Sequence, residues 1–424
     1  MSVAEHNLTD RITYEDLYTR WEANNWSAMS LDFSQDRIGW EALTEIQRSS
    51  AMWIYSMFFY GEDSVTDNLS PFIDAAPKEE QKYFLATQQV DEARHAVFFH
   101  RFFKEVIGVE GEDIATTLTS TEQHLGWGYR KVFDRLDAMA GELRRDRSLP
   151  KFAQAITLYH LIVEAAMAQP GQHFIEDFFV REGTMPGFSE GMQNVSRDEQ
   201  RHIGFGVKVL SELVRESDEC RAAIDELMGE VMPWLSSVFI PPNWDREYTR
   251  CYGFELEDIA AWGFKAVEMK WKAIGYPMTE MPPATFPMDL SESADTRAAR
   301  VIRMSHAGVI GEPGLAADSS PEIQEMYFDL VRRSVDTDAV NGSGPFTVQW
   351  RFSDAAPWHL TVDNGSTRAS AGEAPDADVT LESSWQDFID IGKGGIAPPR
   401  ALLQRRLKLS GGPRNLLRFR KVLG

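Results

Sequence analysis

The chain reads Asp91-Glu92-Ala93-Arg94-His95 and, 107 residues later, Asp198-Glu199-Gln200-Arg201-His202. Each copy lies in a stretch with the apolar spacing of a long amphipathic helix. Residues i and i+3 of a helix share a face, so each Glu-x-x-His pair can hold one metal ion. Two such helices, each facing a helix that carries a further carboxylate, build a dinuclear site in a bundle core. Salt pairs on a wet helix face are the plainer alternative, and they do not explain why the same five-residue pattern occurs twice.

Two isolated carboxylates complete the set. Glu62 ends the apolar run Phe58-Phe59-Tyr60-Gly61-Glu62, with Asp63 beside it as a competitor, and Glu164 stands alone in Leu158-Tyr159-His160-Leu161-Ile162-Val163-Glu164-Ala165-Ala166. A buried, unpaired carboxylate costs several kcal/mol, so it is paired, protonated or bound to metal. The order becomes Glu62, Glu92, His95, then Glu164, Glu199, His202. The spacings agree: Glu62 precedes Glu92 by 30 residues and Glu164 precedes Glu199 by 35, in each case one helix, a turn and a helix back. Carboxylate and imidazole donors suit iron or manganese. Asp91 and Asp198 are placed to accept from the distal N–H of the histidine on the other helix, and Arg94 and Arg201 to neutralise them. Phe58, Phe59, Phe98, Phe99 and Met167 are candidates for an apolar wall or for plain core. His160 and His173 read as structural.

Helical periodicity predicts helices over 36–67, 78–107, 114–146, 151–181, 185–216, 218–238 and 256–274. Pro77, Pro150, Gly183 with Pro186, and Pro241 with Pro242 punctuate them. The expected fold is an all-α helical bundle over residues 1–275, a proline-rich linker over 276–298, and a smaller α+β domain over 299–424. In the last part, 321–335 reads as a helix. Residues 346–352, 358–362 and 377–381 read as strands, with turn signals at Asn341-Gly342 and Asn364-Gly365. Residues 385–391 and 400–407 then read as short helices, 407–410 as a strand and 414–422 as a closing helix.

The formal charge of −22 argues against nucleic acid as a partner. Residues 1–299 carry 28 basic and 50 acidic side chains, and the remainder carries 15 of each. Residues 400–424 have basic side chains and no acid, which leaves open a solvated surface or a meeting place for anionic headgroups. Two cysteines are too few for a disulfide framework. The polar start and the lack of a long apolar run lead us to expect a cytoplasmic protein without a transmembrane segment.

The ligand pattern resembles the ferritin-like superfamily, and within it the ribonucleotide reductase small-subunit-like group, over roughly residues 30–275. A radical-generating subunit of that group typically has tyrosine one turn after the first ligand histidine and aspartate as its first ligand. Here those positions hold Phe99 and Glu62. The R2-like ligand-binding oxidases are the closer resemblance. They carry a valine three residues after the first ligand and a tyrosine five before the fourth, and these are Val65 and Tyr159 here. That resemblance implies a manganese–iron pair, or two irons, with manganese on the Glu62, Glu92, His95 side. It also implies dioxygen as oxidant, a fatty-acid-like ligand, an ether crosslink between Val65 and Tyr159, an unknown electron donor and a homodimer. The last part resembles a sterol carrier protein 2 domain, through 346–352, Ala377-Asp378-Val379-Thr380-Leu381, the helix from Trp385 and Leu407-Lys408-Leu409-Ser410-Gly411. This implies an apolar tunnel for acyl chains, or an accessory dimerisation or solubility role. The joint expectation is a dioxygen-activating oxidase or oxygenase acting on a long apolar ligand. The alternatives are a non-catalytic lipid-binding or transfer protein with a structural or single-turnover metal site, a reductase subunit, and an N-oxygenase of amines, which would want an additional ligand histidine.

Overall fold

The computed structural model describes residues 12–109, 113–337 and 344–423. The chain forms two compact units, one of residues 1–227 with 238–278 and one of 228–237 with 279–424. No described helix is long and apolar enough to cross a membrane.

The first unit is helical. Its helices are α1 (Tyr14–Ala23), α2 (Asp36–Ala42), α3 (Glu45–Asn68), α4 (Ser70–Ala75), α5 (Glu79–Phe102), α6 (Ile114–Thr121), α7 (Trp127–Leu143), α8 (Leu149–Ile156), α9 (Gln169–Glu182) and α10 (Pro186–Glu216). They are followed by α11 (Asp218–Leu235), whose last residues group with the second unit, then α12 (Glu247–Arg250) and α13 (Leu256–Ala273). The helix expected over 36–67 is broken at Thr44, whose hydroxyl and Gln47 cap each other's backbone N–H groups and start α3 afresh. The helix expected over 114–146 is broken likewise, with a 3-10 turn at Glu122–His124 and Gly126 as the N-cap of α7. Helices α1 and α4 have no counterpart in the sequence reading.

Close approach shapes α10. Its first turn is capped from a distance: the buried Asp36 carboxylate accepts from the N–H of Gly187 at 3.0 Å and of Phe188 at 2.6 Å. A Cβ at Gly187 would lie 2.3 Å from the Asp32 carbonyl oxygen, one at Gly191 2.2 Å from the Phe98 ring, and one at Gly206 2.2 Å from His160 Cβ. Glycine at these points lets α10 sit against its neighbours and fixes the height of Glu199 and His202.

The second unit has α14 (Ala294–His306), unforeseen from sequence, and α15 (Pro321–Arg333) beside a five-stranded sheet of order β3-β2-β1-β4-β5. The strands are β1 (Phe346–Phe352), β2 (Trp358–Asp363), β3 (Ser366–Ala371), β4 (Val379–Ser383) and β5 (Leu407–Gly411). β1 and β4 run parallel with Val348 opposite Val379, and the other pairs are antiparallel. The Asn364-Gly365 signal marks the β2–β3 hairpin, where both residues have positive φ, 47° and 78°. Strand β3 itself was not expected, because Ser366–Ala371 is polar and partly exposed. The Asn341-Gly342 signal lies outside the described residues. Helices at Trp385–Gly392, Pro398–Leu403 and Pro413–Leu423 complete the unit. The core side of β1 presents Phe346, Val348 and Trp350, and Phe328 of α15 stacks on Trp358 at 4.7 Å.

Candidate metal centre

Four stretches of helix bring the six predicted side chains together. Glu62 comes from α3, Glu92 and His95 from α5, and Glu199 and His202 from α10. Glu164 comes from Thr157–Ala168, where the rod that joins α8 to α9 widens into a π-helix. Such i→i+5 segments are rare and frequently mark functional sites. All six side chains are buried, and Glu62 rather than Asp63 joins the group. They form two overlapping sets, Glu62, Glu92, His95, Glu199 and Glu92, Glu164, Glu199, His202, each with its ligand atoms within 4.8 Å of one another.

Glu92 lies between the sets. Its Oε2 is 3.3 Å from His95 Nδ1 and its Oε1 3.1 Å from His202 Nδ1. Glu199 Oε1 is 3.5 and 3.7 Å from the same two nitrogens. Glu62 Oε2 stands 3.1 Å from His95 Nδ1, and Glu164 Oε1 3.4 Å from His202 Nδ1. Ligand atoms about 2.1 Å from a common ion and at right angles to it lie about 3 Å apart, close to these separations.

The outer nitrogens of the two rings cross over. His95 Nε2 is 3.2 Å from Asp198 Oδ2, and His202 Nε2 is 3.2 Å from Asp91 Oδ2. Arg201 donates to Asp91 at 2.5 Å and to Asp198 at 3.0 Å, while Arg94 lies 3.1 Å from Asp91 and 3.5 Å from Asp198. Two indoles close the network, Trp21 Nε1 donating to Asp91 at 2.9 Å and Trp26 Nε1 to Asp198 at 2.8 Å.

The electrostatics follow from this layout. Burial pushes the Glu62 carboxyl up to about 8, against the pull of His95. Burial and the neighbouring carboxylates raise Glu164 well above its ordinary value and raise Glu199. Glu92 moves the other way: burial disfavours its charge, but the His202 and His95 rings prevail and hold it well below the usual range. Both rings sit well above the usual imidazole value, since the surrounding carboxylates outweigh burial. Without cations the cluster therefore retains protons.

The donor set fits two metal ions. Arg94 and Arg201 offset Asp91 and Asp198, which leaves four glutamates to balance two divalent cations. Glu164 Oε2, Glu199 Oε2 and His202 Nδ1 are buried and make no hydrogen bond, as expected of atoms meant for a ligand that is not hydrogen-bonded.

A cavity lined mostly by apolar side chains reaches the cluster. Trp53, Met57, Phe58, Phe174, Phe239 and Phe254 line its apolar length, and Glu62, Glu92, Glu164 and Glu199 its inner end. Val65 and Tyr159 also face it. The Tyr159 hydroxyl donates to Glu92 Oε1 at 2.5 Å, and burial together with Glu92 keeps that phenol protonated.

The ribonucleotide reductase, small chain family model matches residues 8–233, more than half of the chain. The chain belongs to the ribonucleotide reductase small chain family. Residues 330–424 match the SCP-2 sterol transfer family. Solved structures similar to this small-chain family member are R2-like ligand-binding oxidases. One has an aerobically reconstituted metal cofactor after photoconversion; it is 24% identical, with 62% of this chain and 93% of that one covered and a TM-score of 0.54. Another, a glycine-to-phenylalanine mutant with an anaerobically reconstituted Mn/Fe cofactor, is 23% identical over 64% of this chain and 96% of that one, with a TM-score of 0.52. These neighbours share the ferritin-like fold of the first unit.

Of the five residues suggested for an apolar wall, Phe58 and Met167 line the cavity. Phe59 packs on Phe103, and Phe98 on Phe33 and Phe188, because these rings point from α3 and α5 toward other parts of the core. Phe99 stacks on Phe58 at 5.9 Å. His173 stacks on Trp262 and belongs to neither ligand set. Sequence reasoning passed over Trp21, Trp26 and Gln88. Gln88 stands one turn before Glu92 and was within reach of a helical-face argument, whereas nothing local to Trp21 or Trp26 points to the cluster.

Proposed function

We propose that this protein is an R2-like ligand-binding oxidase that uses a manganese–iron or diiron pair and dioxygen to oxidise a long apolar ligand. The observation that carries this is the placement of four buried carboxylates and two imidazoles at the inner end of an apolar cavity. Glu62, Glu92, His95, Glu164, Glu199 and His202 would hold the metals, with manganese on the Glu62 side. A bound pair supplies the capacity to reduce dioxygen and to oxidise an unactivated C–H bond. The chain's own part is to orient and to exclude water. Asp91 and Asp198 fix each ring so that Nδ1 faces inward, and the aromatic walls seat an acyl chain with its oxidisable end toward the carboxylates. The SCP-2 match of the second unit favours a lipid as that ligand.

Val65 and Tyr159 line the same cavity as the four glutamates, which supports pairing them. An ether between the valine carbon and the tyrosine oxygen would remove one hydrogen from each, two electrons and two protons in all, with dioxygen as acceptor. After aerobic loading with manganese and iron, tryptic peptides containing Val65 and Tyr159 should appear joined, and only separate peptides would count against the crosslink. Anomalous scattering at the manganese and iron edges, with turnover of dioxygen on added fatty acid, tests the wider function. One stoichiometric oxidation and no turnover would favour a lipid-binding protein with a single-use centre. Phe99, in the position where the reductase pattern places its tyrosine, weighs against a reductase radical.

A further inference from the structure

Gln88 and His160 are buried, belong to neither metal set, and join into a chain that ends on Glu164. Gln88 Nε2 donates to Glu164 Oε1 at 2.8 Å and lies 3.4 Å from Glu92 Oε1. On its other side, Gln88 Oε1 is 3.1 Å from His160 Nε2. A metal-bound carboxylate can only accept, so the NH₂ end of the amide must face Glu164 and its carbonyl must face His160. That orientation fixes His160 Nε2 as the protonated ring nitrogen. Burial with the nearby His202 pushes the His160 imidazole down to about 3, against a backbone contact with Ile156, so the ring is neutral. The ring is held in place where α10 has glycine: a Cβ at Gly206 would stand 2.2 Å from His160 Cβ.

The consequence falls on one oxygen. Glu164 Oε1, the oxygen 3.4 Å from His202 Nδ1, is also the one that Gln88 engages. We propose that His160 and Gln88 form a neutral relay that positions Glu164, restraining its carboxylate from rotating at the metal position on the His202 side. This rests on the reading that the cluster holds two metals. Glu62, the corresponding single ligand of the other set, has its Oε2 3.1 Å from His95 Nδ1 and no amide donor among the described residues, so the relay acts on one metal position and not the other.

The test is Mn(II) occupancy at each position, read by anomalous scattering from anaerobic crystals of the full-length protein across a concentration series. Gln88→Met keeps the length of the side chain and removes the donor; it should weaken the His202-side position by about ten- to a hundredfold and leave the His95-side position within about twofold. His160→Leu should weaken the same position, and the double variant should lose no more than Gln88→Met alone, because the two residues act in series. Gln88→Asn, which withdraws the amide by one methylene, reads the same loss with a smaller packing change should the methionine variant fold poorly. Equal weakening at both positions, no weakening, or additive losses would overturn the relay. A wild-type protein that takes up no pair of ions would overturn the underlying metal reading instead.

Discussion

Glu164 and Glu92 differ in how many metals they can touch, and that difference can be measured. Glu164 belongs to one ligand set and Glu92 to both. Glu164→Ala should therefore lower the metal content from two ions per chain toward one, and Glu92→Ala toward none, by elemental analysis after gel filtration. The metal-free protein should also lose stability as pH rises. Glu62 has a folded value of about 8 against an ordinary 4.5, so between these limits the fold holds a proton that the unfolded chain has released. Its stabilisation is complete below 4.5 and gone above 8. Glu164, Glu199 and both ligand histidines act in the same sense. His160 acts in the opposite sense between about 3 and 6.5, and Glu92 is shifted downward and matters only at lower pH. The Tm of the metal-free protein should thus fall between pH 6.5 and 8, and two bound Mn(II) ions, which replace the protons, should abolish the fall.

At the scale of elements, α10 depends on groups far from it in sequence. Asp36→Ala removes the acceptor for two N–H groups of its first turn and should cost about 0.5–2 kcal/mol, seen as a lower urea midpoint. Gly206→Ala drives a methyl against His160 and should cost about 1–3 kcal/mol through overpacking; a midpoint equal to wild type would contradict the close approach. These features also show where the sequence stops being legible. The repeated Asp-Glu-x-Arg-His and the lone Glu164 could be read because a helix puts i and i+3 on one face and because a carboxylate in apolar company demands a partner. The breaks at Thr44 and Gly126 are local signals that a strong 3.6-residue period masked. The π-helix at Thr157–Ala168 and the cap from Asp36 are set by tertiary packing, which no window of sequence contains. Polar β3 has no apolar alternation to detect and is held by its hairpin with β2.

For the whole molecule, the boundary between units is not a single point in the chain. The segment Met228–Ser237, at the end of α11, groups with residues 279–424. A chain ending at Met278 would keep that segment without the residues it groups with, and would lose the hydrogen bond from the Ser305 hydroxyl to the Ser236 carbonyl. Such a truncation should unfold at lower temperature than the full-length protein by differential scanning calorimetry. An unchanged transition for the bundle would show that the segment is stable without them.

The sharing of Glu92 and Glu199 between both ligand sets bears on when the protein can take up metal. Three of the four ligands near His95 lie before residue 100, but the fourth is Glu199, and the set around His202 needs Glu92 in return. A growing chain that has left the ribosome only as far as α7 therefore holds neither site in complete form. Metal uptake, and with it any reactivity toward dioxygen, is deferred until both halves of the bundle have been synthesised and have docked.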